Sequence, residues 1–388
     1  MGRLRPWVNG LTPLGVNGLT TTLASDDVGI SPGGNQTVMT VNTKRVFFVH
    51  YVADQSFNDV LATRPDVVLE KIANDSPTED ADRVLAAAHA YQIGSARDEI
   101  NSIYHITDAL LARAPNLLLV STNGAGYDTV DLEACNRAGV LAVNQAGGNK
   151  EAVAEHALGM MLILAKRIVE VDRAMRRTAG IDRNEFMGRD LLGKTVGIVG
   201  LGHVGTRLAE LCRGLFRMRV LACDPLLDAA TISARGAEKV DLDTLLATAD
   251  YVSINCPRIP TTKGMIGARE FGLMRPDAYF VTTARGGIHD EQALARALAD
   301  RKLAGAGLDV WDPEPPALDH PLLAFDNVVV SPHTAGVTRE ARQNIGKIGA
   351  EQLLDMLDGK PPSRVLNPEV WPAYAARFER IMGLAPRR

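Results

Sequence analysis

Cysteine is scarce in this chain: four in 388 residues, Cys135, Cys212, Cys223 and Cys256, with no C-x-x-C pair among them. That spacing argues against a zinc ribbon or a thioredoxin-like centre, so no metal site is expected and buried thiols are the default. It fits a reducing, cytoplasmic compartment. Long apolar runs are missing as well. The densest, Ala157 to Ala165, stops at Lys166, far short of the roughly 20 residues that cross a bilayer, so no membrane partner is expected. Charge of one sign is not in excess either: 42 Lys plus Arg stand against 46 Asp plus Glu, a formal charge of −4. Without a long block of one sign, the phosphate-tracking footprint of a nucleic-acid binder is missing. Arg3 and Arg5 are followed by Gly, Asn, Thr and Pro rather than by an apolar segment, so no secretory signal is expected. Pro6 stands where a myristoylation start after Met1-Gly2 requires Ser or Thr.

What is present is a globular composition, 46% hydrophobic and 23% charged, in a chain long enough for two to three domains. Residues 1–43 repeat VNGLT at Val8 and Val16 and carry no apolar periodicity, which predicts a flexible extension. Short β-branched runs then alternate with helical patterns. VFFVH from Val46 is followed by a helix over about 78–90, a strand near 92–94, a further helix, LLLVS from Leu117, a helix near 129–137 and LAVN from Leu141. A long helix is predicted over about 150–177, with Val153, Ala157, Met160, Met161 and Leu164 at helical spacing. A second strand series starts with TVGIVG at Thr195 and continues with RVLACD, YVSINC, AYFVTTA, AGLDV and NVVVS, before a helix over about 338–357. Strands alternating with helices imply parallel sheets covered on both faces. The simplest architecture is a dinucleotide-sized domain inserted into a smaller α/β domain.

The strand Thr195–Val199 feeds Gly200-Leu-Gly202-His203-Val204-Gly205, and a helical pattern follows from Val204. In that context G-x-G-x-x-G reads as a dinucleotide fingerprint. Gly200 permits the tight turn, Gly202 lets backbone approach a pyrophosphate, and Gly205 lets helix pack on strand; the helix N-terminus offers free N–H groups to the anion. Asp224, at the end of the next strand, is placed to accept from a ribose diol. It would repel a ribose phosphate, and Pro225-Leu226-Leu227 supplies no cation, so NAD is expected over NADP. His203 is expected to be a spacer facing solvent or pyrophosphate. A plain glycine turn beside a surface Asp is the alternative.

Three polar groups recur after strands of the second series: Arg285 after AYFVTTA, Glu314 after AGLDV and His333 after NVVVS. Ligands bind at such strand ends in open α/β sheets. Hydride transfer to a carbonyl needs a cation fork for a carboxylate, a proton donor for the alkoxide and a group that holds that donor charged. Arg, His and Glu supply these roles, a Glu beside an imidazole stabilising the imidazolium and fixing its tautomer. Taken singly, each is more often a solvated surface group.

With GLGHVG from Gly200, TARGG from Thr283, GLDVWDPEP from Gly307 and SPHTAG from Ser331 in this order, the chain from about Lys44 to Trp371 resembles the D-isomer-specific 2-hydroxyacid dehydrogenases, and among them the phosphoglycerate dehydrogenases. The resemblance implies a Rossmann-type doubly wound parallel sheet inserted into a smaller, flavodoxin-like α/β substrate domain. Boundaries on that reading are an extension over 1–43, the first part of the substrate domain over 44–148, the NAD-binding domain over 149–336, and a return to the substrate domain with the C-terminal tail over 337–388. It implies NAD(H)-dependent interconversion of a small 2-oxo acid and its D-2-hydroxy acid, with Arg285 binding carboxylate and carbonyl, Glu314 orienting His333, and His333 exchanging the proton. By the same resemblance Asp309 hydrogen-bonds the nicotinamide carboxamide, and Cys256, Pro257 and Ala284 line the cofactor. The segment Asn123-Gly124-Ala125-Gly126-Tyr127-Asp128 matches the family's substrate-carboxylate loop, with Ser95 and Asn123 to Gly126 meeting the substrate, although Asn123 to Gly126 also reads as a simple turn between strand and helix.

The resemblance further implies a homodimer, with the Val153–Leu164 helix at or near the interface; an intrachain core helix reads equally well from periodicity. An NAD(H)-sensing, corepressor-like binding protein is the alternative function, since such proteins keep the same trio. Rival oxidoreductase folds fit less: no Tyr has a Lys four residues later. The chain departs from the family at Asn255, where many members carry His, at His289, where an apolar residue is usual, and in the extension. Glu155 and His156, on one helix, read as a structural ion pair or an interface contact, and Asp312 as turn chemistry. Gly94 precedes Ser95 where phosphoglycerate dehydrogenases commonly carry an Arg for the substrate phosphate, so an unphosphorylated substrate is expected, with Arg97 the nearby cation that would compensate.

Overall fold

The computed structural model describes residues 43–387; the extension expected over 1–43 lies, apart from Thr43, outside the described residues. Two parallel sheets carry the architecture. In the first, β1 (Lys44–Val49), β2 (Val67–Ile72), β3 (Ala90–Ile93), β4 (Leu119–Thr122) and β5 (Leu141–Val143) lie in the order β2-β1-β3-β4-β5. The second contains β6 (Thr195–Val199), β7 (Arg219–Cys223), β8 (Glu238–Lys239), β9 (Tyr251–Ile254), β10 (Tyr279–Thr282), β11 (Gly305–Leu308) and β12 (Val328–Val330), in the order β12-β11-β10-β9-β6-β7-β8. These are the flavodoxin-type and Rossmann-type orders, the latter with one added strand. The α/β, doubly wound expectation is met in both sheets.

Burial on both faces explains the near-continuous apolar runs. Residues of β3, β4, β9, β10 and β11 are buried throughout. The edge strand β2 is different: VVLEKI places Glu70 and Lys71 in a half-exposed ladder, the polar dressing of an edge. That dressing hid β2 from the periodicity argument, which also missed the preceding helix Gln55–Ala62. Asp54 caps this helix by accepting from the Ser56 amide at 2.8 Å.

After β5 the chain runs into the helix Lys150–Ala165 on the second sheet, where Ala154, Ala157, Met160, Met161 and Leu164 pack with Val196 and Ile198. Gly307 of β11 makes room for Met160, whose atoms would lie 3.0 Å from a Cβ there. The apolar stripe from Val153 to Leu164 is thus buried within the chain's own core. The long helix expected over 150–177 is two helices, Lys150–Ala165 and Ile168–Arg177. Arg167 breaks it in a left-handed conformation, φ 53°, held by Glu170 at 2.7 Å and by the Glu185 carbonyl at 2.6 Å. Apolar spacing alone does not reveal such a junction.

Beyond β12, Thr338 caps the helix Arg339–Leu357 at the Ala341 amide, and the chain returns to the first sheet. Ala350, Leu353, Met356, Tyr374 and Phe378 pack there on Val46, Leu118, Leu119 and Leu141. Val365 bridges Val143, and the Asn367 Oδ1 accepts from the Ala142 amide at 2.8 Å.

Candidate active site

Two adjoining cavities, about 270 and 400 Å3, open where loops from the carboxyl ends of both sheets meet. Ser95 follows β3, Asn123 to Gly126 follow β4, Cys256 and Pro257 follow β9, Arg285 follows β10, Asp309 follows β11 and His333 follows β12. Each sheet reverses its winding here, between β1 and β3 and between β6 and β9, and a crevice forms at such a switch point.

The three glycines of the fingerprint divide the work as their spacing implies. Gly200 has φ 90°, and a Cβ on it would lie 2.8 Å from the Cys256 amide, so the turn after β6 presses against the loop after β9. Gly205 packs so closely that a Cβ would lie 2.2 Å from the Gly200 carbonyl oxygen. Gly202, the N-cap of the helix His203–Phe216, faces open space, with nothing within 4 Å. A turn that keeps its middle glycine uncovered at a helix N-terminus fits a pyrophosphate. His203 is exposed and stands against Gly147, whose Cβ would lie 3.4 Å from its Nδ1; with Val204 it lines the larger cavity beside Cys256, Pro257 and Ala284.

Asp224 binds the loop itself, accepting from the Leu201 amide at 2.9 Å and the Leu226 amide at 3.0 Å. It borders a third hollow with Cys223, Pro225 and Lys239. Lys239 was not visible as a neighbour in sequence: its Nζ reaches the Leu227 carbonyl at 2.5 Å from β8, so a cation does stand near Asp224.

Around the smaller cavity, His333 Nδ1 lies 2.8 Å from Glu314 Oε2, and Glu314 Oε1 accepts from the Trp311 amide at 2.9 Å. Burial pushes the Glu314 carboxyl up, but the hydrogen bonds from His333 and Trp311 and the charge of Arg285 outweigh it and hold this carboxyl below its usual range. His333 sits at φ 57°, a strained conformation for a non-glycine residue, with its amide bound to the Asp309 carbonyl at 2.6 Å. Its Nε2 therefore faces Arg285, whose Nη1 is 3.5 Å away. With Nδ1 against Glu314, Nε2 is the ring nitrogen left facing the cavity.

Asp309 is fully buried and clamps the His333 segment: Oδ1 accepts from the Ser331 hydroxyl at 2.6 Å and the Thr334 amide at 2.8 Å, and Oδ2 from the Ala335 amide at 2.9 Å. Three of its roughly four acceptor positions are thus taken within the chain. His156 pairs with Ser331, 3.0 Å from its Oγ, rather than with Glu155. His320, unpaired in sequence, is bound to Glu291 at 2.9 Å, while Asn255 turns back to Ser253.

The Asn123–Gly126 loop is held from below. Gln92 donates to Asn123 Oδ1 at 2.7 Å, the Gly124 amide to Gln145 Oε1 at 2.7 Å, and Asn144 to the Ala125 carbonyl at 2.8 Å. The Asn123 side chain is buried against Gln92, so its substrate contact is not made through Oδ1, and among the described residues its Nδ2 is buried without a partner. Ser95 and Gly126 approach Arg285: a Cβ on Gly126 would lie 1.9 Å from Arg285 Nη2 and 3.5 Å from the Ser95 Cβ. Asp128, which closes the segment matched by the resemblance, aims this guanidinium, accepting from Arg285 Nε at 3.0 Å and from Arg258 at 3.4 Å; this pairing was not visible in sequence. Sequence reasoning missed Arg342, brought in by the returning helix.

Residues 158–335 match the family model described as D-isomer specific 2-hydroxyacid dehydrogenase, NAD binding domain. The chain is 42% identical over 265 residues to D-3-phosphoglycerate dehydrogenase of Archaeoglobus fulgidus, covering 68% of this chain and 50% of that protein. It therefore spans about half the length of the D-3-phosphoglycerate dehydrogenases it matches. Glyoxylate reductase of Aeropyrum pernix is 38% identical over 268 residues, 67% of this chain and 79% of that protein. Among solved structures, D-lactate dehydrogenase from Aquifex aeolicus, complexed with NAD and lactic acid, superposes with a TM-score of 0.69 at 26% identity, over 84% of this chain and 98% of that one. The glycine turn, the Glu314–His333–Arg285 cluster and these likenesses agree: the chain belongs to the D-isomer-specific 2-hydroxyacid dehydrogenase family.

Proposed function

We propose that the chain is an NAD(H)-dependent oxidoreductase that interconverts a small 2-oxo acid and its D-2-hydroxy acid. The observation that carries this reading is the continuous contact from Glu314 through His333 to Arg285, 2.8 Å and then 3.5 Å. It supports the reading of His333 as an oriented proton donor beside a cation, in a cavity that adjoins the one reaching the glycine turn.

The turn shaped by Gly200 and Gly205 would present the open Gly202 to the dinucleotide's pyrophosphate, while Asp224 would hold its ribose diol and Asp309 the carboxamide. The cofactor, when bound, supplies or accepts the hydride. Arg285 takes the substrate carboxylate and polarises the carbonyl, with Gly126 leaving the guanidinium its path. Among the described residues the amides of Ala125 and Gly126 have no internal acceptor, which leaves them free for the same carboxylate. In the reducing direction His333 Nε2–H gives its proton to the carbonyl oxygen as this becomes the hydroxyl. Glu314 keeps Nδ1 protonated and balances the imidazolium charge. In oxidation the proton moves back to Nε2. The residues over 44–148 and 337–388 form the substrate side, and those over 149–336 the cofactor side.

Oxidation of NADH followed spectrophotometrically with a panel of short 2-oxo acids tests the proposal; binding of NADH with no turnover on any member would favour a dinucleotide sensor. The reading extends to a homodimer in the cytoplasm. Exposed Ile168, Met175 and Met187 support a further apolar contact, which light scattering of the purified protein checks.

A further inference from the structure

The smaller cavity is walled, besides Arg285 and His333, by Ala96, Asp98, Glu99, Val337, Arg342 and Ile345. Its charges are unequal. Glu99 folds back over the β3 turn: its Oε2 accepts from the Ala96 amide at 3.0 Å and lies 2.8 Å from where a Cβ on Gly94 would stand. The space over Gly94 is thus filled by a carboxylate. Asp98, beside it, is exposed at the rim. Facing these two anions, besides Arg285, stands Arg342, in the first turn of the helix Arg339–Leu357. Its guanidinium stands over an aromatic ring, with Cζ 6.0 Å from the Tyr51 ring centroid. Arg97 points elsewhere, its Nε donating to the Asp128 carbonyl at 3.0 Å, and lines the other cavity. Arg285 is held by Asp128 at 3.0 Å.

We propose that Asp98 and Glu99 are specificity-determining residues that restrict this cavity to 2-oxo and 2-hydroxy acids whose C3 substituent carries no negative charge. A substrate whose carboxylate sits on Arg285 extends its C3 group toward this wall. A phosphate monoester or a second carboxylate there meets two like charges and a cation that stands over the Tyr51 ring, whereas a hydrogen, a methyl or a hydroxymethyl group meets no repulsion, and a hydroxyl donates to either carboxylate. Specificity then comes from a repulsive element as well as from fit.

This inference rests on the proposed oxidoreductase reading, and the experiment separates the two. The holoprotein is assayed with NADH and either hydroxypyruvate or 3-phosphohydroxypyruvate, at low and high ionic strength. We expect kcat/KM to favour hydroxypyruvate by more than about tenfold, the margin shrinking as salt screens the wall. Asp98→Lys, at an exposed position that leaves the fold intact, should narrow the ratio about tenfold, and Glu99→Gln should shift it in the same direction. Equal or better use of the phosphorylated compound by the unaltered protein overturns the inference, as does a ratio that neither substitution moves. If neither compound oxidises NADH, the oxidoreductase reading fails, and the wall is then judged by calorimetry of the NAD-loaded protein with D-glycerate and D-3-phosphoglycerate. Binding of the phosphorylated acid as tight as that of D-glycerate overturns it; tighter binding of D-glycerate upholds it.

Discussion

Arg285 and Asp128 meet across the cleft: the guanidinium from the loop after β10 donates Nε–H to the carboxylate from the loop after β4 at 3.0 Å. Both side chains are about a fifth to a quarter exposed, 24% and 21%, so the pair is charge-assisted but partly screened. It leaves Nη1 and Nη2 pointing at His333 and at the Gly126 loop. The two sheets thus share one cation, and its aim depends on a residue that need not touch substrate.

Asp128→Asn should therefore raise KM for the 2-oxo acid more than it lowers kcat, with kcat/KM falling about ten- to a hundredfold, the equivalent of a hydrogen bond to a charged group. Asp128→Glu should restore part of the loss. Steady-state kinetics with both variants checks this; a purely structural role would lower the melting midpoint without separating KM from kcat.

Removal of the proton donor should be more severe. His333→Asn is expected to lower kcat by about 10²–10⁴ while NADH affinity, measured by fluorescence titration, changes little. Glu314→Gln keeps the shape of the pair but removes the charge opposite the imidazolium, so reduction should suffer more than oxidation. Near-normal turnover in the His333 variant would remove it from the mechanism.

Cofactor choice follows from Asp224. Initial rates should favour NADH over NADPH by more than about tenfold, and Asp224→Ser should narrow the gap by removing repulsion of a ribose phosphate. Because Asp224 also ties down the Leu201 and Leu226 amides, the variant should lose some affinity for both. Lys239, close to the same hollow, sets how far the gap can close; Lys239→Ala should widen it again.

His289 predicts an acid-dependent loss of stability. Burial pushes this imidazole down to about 4, and among the described residues neither ring nitrogen has a hydrogen-bond partner. An unfolded chain takes up the proton near the usual pH of ~6.5, the folded one only near 4, so between those values the unfolded state binds more protons. Stability is then full above about 6.5 and falls as pH drops toward 4, by up to ~1.4 kcal/mol per unit. His289→Leu should flatten this slope, read from denaturant midpoints at pH 7.5, 5.5 and 4.5, and should raise the midpoint at neutral pH by relieving two unpaired buried nitrogens.

The elements legible in the sequence are those whose cause is local. β6, the glycine turn and the helix from His203 follow from a β-branched run, three glycines at fixed spacing and an amphipathic pattern, and the structure realises all three within a residue. Buried strands such as β9 and β10 announce themselves because both faces are covered, so no charged residue interrupts them. β2 did not, because an edge strand needs charges. The break at Arg167 did not, because it depends on Glu170 and on a carbonyl from the segment past the helix.

For the site, residue types and their order in the chain determined the chemistry on offer: a fork, an acid–base group and a carboxylate, each directly after a strand of a parallel sheet. Their partnership is a matter of distance, and distance is set by how strands are ordered and how the two sheets face each other. Only the tertiary structure put Glu314 on His333, aimed Arg285 with Asp128, turned Asn123 inward to Gln92, and brought Arg342 from the returning helix to a wall that Asp98 and Glu99 make acidic. Hydrogen bonds act over about 3 Å and charges over about 10 Å, whereas these pairs are separated by tens to hundreds of residues of chain. Local periodicity therefore determines the strands and helices, and the packing of the two sheets decides which charges meet.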